Sequence, residues 1–212
     1  MKKILKLIKA VFARAERSKN QTAHADGKTW EQMISERLDK QTDNEVKEFF
    51  DKYEPKQMKT FEFTEPNRPI DNLVIHCTAT PENRHHTADE VRRWHTDPAP
   101  RGNGWRQVGY SDLILLDGTC ERMTADEWAV TNGVAGHNAR SRHICYVGGL
   151  ATDGRTAKDT RTPQQVHTLA VFVKDFHARF PNVRIVGHNE LAGKACPSFD
   201  VQKWLKSIGI NQ

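Results

Sequence analysis

The chain has 212 residues, 37% hydrophobic and 28% charged, which suits one globular domain with an appendage and excludes a disordered chain. No run approaches the roughly 18 consecutive apolar residues of a membrane-spanning helix. The net charge of +5 is unevenly placed: residues 1–19 hold seven Lys or Arg against Glu16 alone, while the remaining 25 basic and 26 acidic residues nearly cancel.

The first twelve residues read Met-Lys-Lys-Ile-Leu-Lys-Leu-Ile-Lys-Ala-Val-Phe. Lys6 and Lys9 interrupt what would be the apolar core of a signal peptide, so no cleavable signal is recognised. Ile4, Leu5, Ile8, Val11 and Phe12 follow helical spacing and predict a basic amphipathic helix. Its functional reading is attraction to an anionic surface, membrane or wall polymer. Its structural reading is a docked helix with a solvated lysine face. Nucleic acid is a third anionic surface the segment could meet, but it is not the expected partner.

Residues 20–60 are polar and helix-prone, with Trp30, Met33, Ile34 and Leu38 on one stripe. Pro55, Pro66 and Pro69 punctuate a linker. The expected organisation is therefore a helical extension over residues 1–60 and one domain over residues 61–212.

From Ile70 the signals sharpen. Leu73–Ile75 is a short apolar strand leading to His76. Thr87-Ala-Asp-Glu90 is a capping box opening a helix through Val91, Trp94 and His95. Residues 97–106 form a Pro-, Gly- and Arg-rich loop. Gly109–Gly118 reads as a strand ending in an Asp-Gly turn, with a returning strand through Cys120. Ile144–Gly149 is another strand. Thr162-Pro-Gln-Gln165 is a capping box with proline at the first helical position. It opens a helix with Val166, Leu169, Ala170, Val173, Phe176 and Phe180 on one face. Val183–Val186 is the last strand and Val201–Ile208 a closing helix. Interleaved strands and helices predict an α/β domain with a mixed central sheet flanked by helices.

The stretch His188-Asn-Glu-Leu-Ala-Gly-Lys-Ala-Cys-Pro-Ser-Phe-Asp200 concentrates the chemistry. A chain that leaves a strand with His188 and returns with Cys196 brings two zinc donors to one loop, and a catalytic zinc takes three protein ligands. His76, at the end of Asn72-Leu-Val-Ile-His76, is the best third candidate if the two strands are neighbours. Asp200 is an alternative oxygen ligand. The four cysteines, Cys77, Cys120, Cys145 and Cys196, match no metal-ribbon or redox spacing and are expected as free thiols.

These residues carry a resemblance. From about Asn72 to Leu205 the chain resembles the zinc-dependent N-acetylmuramoyl-L-alanine amidases, which include amidase-type phage lysozymes and peptidoglycan recognition proteins. The shared stretches are Val-Ile-His76-Cys-Thr-Ala-Thr, Val-Gly-Tyr110, Cys-Tyr-Val-Gly-Gly149, Gly-His188-Asn and Lys194-Ala-Cys196-Pro-Ser-Phe-Asp. The resemblance implies Zn2+ held by His76, His188 and Cys196, with Tyr110 and Lys194 as assisting catalytic residues. Tyr110 could orient or deprotonate water, or hydrogen-bond an oxyanion. His137 and Asn138 are candidates for lining the substrate groove.

The implied function is hydrolysis of the amide between N-acetylmuramic acid and L-alanine in bacterial peptidoglycan, by a phage or prophage endolysin or a bacterial wall-remodelling amidase. Such a product is expected to be a monomer, cytoplasmic until released to the wall. The competing readings are a non-catalytic peptidoglycan-binding module and a phage regulatory protein; binding-only relatives typically lack the cysteine ligand, which is present here. The chain also departs from many phage members. It has Ser111 where they have histidine after the tyrosine, Gly133 where they carry a histidine, and Ser141-Arg-His143 in place of Ser-Ile-Gly. All three departures are expected near the substrate groove.

Overall fold

The computed structural model describes residues 60–212. The predicted basic helix of residues 1–19 and the stripe Trp30–Leu38 lie outside the described residues. The elements are β1 (Asn72–Cys77), β2 (Thr80–Pro81), α1 (Ala88–Thr96), β3 (Asp112–Ile114), β4 (Cys120–Arg122), β5 (Ser141–Tyr146), β6 (Gly149–Leu150), α2 (Pro163–Arg179), β7 (Arg184–Gly187) and α3 (Val201–Ser207). The main sheet runs β4-β3-β5-β1-β7. All its neighbours are parallel except β4, which returns antiparallel to β3 through the predicted Asp-Gly turn. The fold is therefore the expected mixed sheet flanked by helices. A separate two-residue parallel pair, β2 with β6, was not legible, because a ladder of two residues containing Pro81 leaves no periodic signal.

Both predicted capping boxes form. Thr87 Oγ1 accepts from Glu90 N at 3.2 Å while Thr87 N donates to Glu90 Oε2 at 2.8 Å. Thr162 and Gln165 make the same reciprocal pair at 3.1 and 3.0 Å, with Pro163 opening α2. Each cap satisfies amides that a helix start leaves open and is worth about 1 kcal/mol.

Alternation along the strands divides the core. Leu73, Ile75, Ile144, Tyr146, Ile114 and Ile185 face α2 and α3, against Leu169, Val173, Phe176, Val201 and Leu205. Leu113 and Cys145 face α1, against Ala88 and Val91. Val74 and Val186 also lie away from α2, beneath Val134, Leu191 and Ala192. Two side chains were missed on α2. Gln165 is fully buried because its Nε2 donates to Ile114 O at 3.2 Å and Val147 O at 2.9 Å. Phe172 is buried because Phe61 and Phe63 pack edge-on over it at 4.9 and 5.1 Å.

Arg142 departs from its expected place by the groove. Like Ile144 and Tyr146 of the same strand it points to the α2 side, 1% exposed, with NH2 2.7 Å from Asp112 and its guanidinium 4.9 Å above Trp128. Strand alternation is the cause: its neighbours Ser141 and His143 face the other way.

Candidate metal centre

β1 and β7 are adjacent, with Ile75 opposite Gly187. His76 and His188, each following one of these residues, leave the carboxyl edge of the sheet side by side, rings 4.8 Å apart and 62° to one another. Gly187 has to be glycine for space: a Cβ there would stand 2.3 Å from Asn189 Oδ1 and 3.0 Å from Pro197 Cδ.

The loop after β7 returns Cys196 to the same spot. Glu190 Oε1 accepts from Gly187 N at 2.6 Å, Asn189 N donates to Cys196 O at 2.7 Å, and Cys77 N donates to Cys196 Sγ at 3.2 Å. Tyr146 holds the far side of the loop, its hydroxyl donating to Pro197 O at 2.7 Å. Cys196 Sγ is 3.7 Å from His76 Nδ1. One donor atom from each of His76, His188 and Cys196 lies within 4.8 Å of the other two.

This set fits zinc. Tetrahedral zinc with its usual bond lengths puts nitrogen and sulfur ligands about 3.3–3.6 Å apart. The His76–Cys196 separation of 3.7 Å is already close to that, and the donors, all within 4.8 Å of one another, would draw in by up to about 1.5 Å around the ion. Two imidazoles and a thiol are also the donors zinc selects over harder cations.

The electrostatics agree with ligand roles for both histidines. Burial pushes His76 well below the ordinary imidazole range, with His143 and His188 adding to the effect. His188 is lowered by burial and then by the Lys194 ammonium. Both rings are thus held neutral, which is the form that binds metal. Contact with the Cys77 thiol, then burial, raises the Cys196 thiol. A thiolate at Cys196 calls for a cation beside it.

The other predicted residues take distinct places. Tyr110 packs against His76, ring centroids 5.2 Å apart. Burial and then the thiols of Cys145, Cys196 and Cys77 push its hydroxyl well above the ordinary phenol value, so it remains a donor. Lys194 is exposed on the His188–Cys196 loop, near enough to His188 to depress its pKa. Asn138 Oδ1 accepts from Val134 N at 2.7 Å, which closes the turn carrying exposed His137. Asp200 is not among the three converging donors: it caps α3, accepting from Lys203 N at 2.9 Å.

Sequence reasoning missed two neighbours. His95 stands edge-on to Tyr110 at 5.1 Å, with Trp105 stacked on its other side at 5.1 Å and 8°. His143 Nδ1 lies 3.0 Å from His76 Nε2. The second was visible only through strand pairing, which puts His143 opposite Val74, on the face that carries His76.

Fold and site together define an α/β domain whose sheet edge presents a three-donor candidate metal centre. Residues 66–199 match the family described as N-acetylmuramoyl-L-alanine amidase, and the chain belongs to that family of amide hydrolases. It is 35% identical over 150 residues to the endolysin of Enterobacteria phage K11, covering 71% of this chain and 94% of that protein. It is likewise 35% identical over 134 residues to the endolysin of Escherichia phage T7, covering 63% of this chain and 84% of that one. Among solved structures, the endolysin N-acetylmuramoyl-L-alanine amidase LysCS from Clostridium intestinale URNW superposes with a TM-score of 0.55 at 22% identity, covering 72% of this chain and 94% of that one. That last likeness is one of fold.

Proposed function

We propose that this amidase is a zinc-dependent phage or prophage endolysin that cleaves the bond between N-acetylmuramic acid and L-alanine in bacterial peptidoglycan. The observation that carries the reading is the convergence of His76, His188 and Cys196 at one sheet edge. The similarity to endolysins of phages K11 and T7 supports the lytic setting. Among the described residues no helix is long and apolar enough to cross a membrane, which is compatible with release to the wall.

A wall-peptide amide is unactivated, so its hydrolysis needs a strong nucleophile and stabilisation of developing charge. Bound at this site, zinc supplies Lewis acidity that activates water near neutral pH and polarises the scissile carbonyl. His76, His188 and Cys196 would hold it, leaving a net charge of about +1. Lys194, two residues before Cys196, offers a cation to the tetrahedral oxyanion. Tyr110, held protonated by its surroundings, is assigned as a hydrogen-bond donor to the same oxygen rather than as the base. His137, on the turn closed by Asn138, is assigned to the groove wall.

Product analysis tests the reaction. Digested peptidoglycan should gain free N-terminal L-alanine, and a chelator should stop the gain. New reducing sugar ends in place of free amines would make the enzyme a glycosidase and discard the reading.

A further inference from the structure

We propose that His143 is a positioning residue for the zinc ligand His76, accepting a hydrogen bond from His76 Nε2–H, and that Gly133 is glycine to leave room for that ring. The inference rests on the zinc reading above and concerns a residue to which that reading gives no part.

Geometry fixes the direction of the bond. His76 turns Nδ1 toward Cys196 Sγ, at 3.7 Å, and Nε2 toward His143 Nδ1, at 3.0 Å. A metal beside Cys196 takes the Nδ1 lone pair, so the His76 proton must sit on Nε2. His143 Nδ1 is then the acceptor, and the His143 proton sits on its own Nε2. His143 lies on the far edge of the His76 ring from Cys196 and is not one of the three converging donors. It therefore acts through His76, as outer partners of ligating histidines do.

Two further observations support a role beyond packing. His143 is fully buried, yet its Nε2 has no hydrogen-bond partner. A donor left unsatisfied in the core weakens the fold, and leucine or phenylalanine would fill the space without that penalty. Gly133, in turn, has no backbone need to be glycine, since its φ is not positive. A Cβ at that position would stand 2.4 Å from His143 Nδ1 and 2.6 Å from its Cγ. A side chain at 133 and the ring at 143 thus exclude one another. In this chain the imidazole beside His76 comes from β5, and glycine at 133 leaves it room.

The test uses the full chain with three variants. His143→Leu keeps bulk without an acceptor, His143→Asn keeps an acceptor near the Nδ1 position, and the double variant Gly133→His with His143→Gly moves the ring back to the loop. Zinc affinity is measured by competition with a chromophoric chelator, and the ligand field is followed by the visible absorption of the cobalt-substituted protein. The expected result is roughly 10–100-fold weaker zinc binding and an altered cobalt spectrum for His143→Leu, with most of the loss recovered in His143→Asn and in the double variant. Wild-type zinc affinity in His143→Leu overturns the inference. So does equal weakening in His143→Leu and His143→Asn, which would make the effect one of packing. If His143→Leu does not fold, the other two decide: failure of both to bind zinc like the wild type overturns it. Wild-type protein that binds no zinc overturns the metal reading itself, a different result from any of these.

Discussion

The backbone N–H of Cys77 donates to Cys196 Sγ at 3.2 Å, so the residue next to one candidate ligand holds another. The contact depends on a third residue. Gly149, at φ +103°, lies so close to Cys77 that a Cβ would stand 2.3 Å from its Sγ. Gly149→Ala should therefore strain the backbone and push Cys77 against the Cys196 loop. Expected is a lower melting temperature together with weaker zinc retention in dialysis. A variant as stable and as metal-rich as the wild type would show that this edge has slack.

Arg142 supplies a prediction about stability alone. It is buried with Asp112 2.7 Å from its NH2, on the face away from the metal centre. Arg142→Met would leave Asp112 with only the half-exposed Arg122, 4.0 Å away, in surroundings that already raise its pKa by burial. The loss should be about 3–5 kcal/mol in urea unfolding, as for other broken buried pairs. The folded fraction should keep its zinc. Unchanged stability would place the weight of the contact elsewhere.

Lys194 separates metal binding from catalysis. Its side chain is exposed and is not among the converging donors. Lys194→Ala should retain zinc while slowing wall hydrolysis by roughly 10²-fold or more, the loss expected of an oxyanion partner. Near wild-type turnover would mark it as a surface charge.

The charge asymmetry predicts what the first 19 residues do. The chain beyond them is close to neutral, so salt-sensitive attraction to an anionic surface has to come from this segment. Deleting residues 1–19 should leave zinc content and cleavage of small soluble muropeptides unchanged. It should also weaken sedimentation with intact walls or anionic vesicles, by the part that rising salt already removes. A truncated protein that melts earlier yet binds walls as before would favour a docked structural helix.

Much of the domain was readable because its signals are local. The capping boxes at Thr87 and Thr162 and the Asp117-Gly118 turn need only neighbouring residues. Two apolar runs that each end near a histidine made the pairing of β1 with β7 a condition of the metal reading, and the sheet meets it. What stayed hidden depends on contacts across the sheet. Arg142 and His143 are adjacent, yet one is buried under Trp128 and the other against His76, because successive strand residues point to opposite faces. Phe61 and Phe63 looked like linker beside Pro66, and their role appears only in the folded domain, where they cover the Phe172 ring.

The central claim is a single zinc held by His76, His188 and Cys196. Metal analysis of purified full-length protein and of Cys196→Ala, paired with wall-lysis rates, tests it most directly. About one zinc per wild-type chain is expected, with activity lost to a chelator and restored by zinc. The Cys196→Ala protein should fold but hold far less metal and lose lysis. Full zinc and full activity in Cys196→Ala would contradict the ligand assignment.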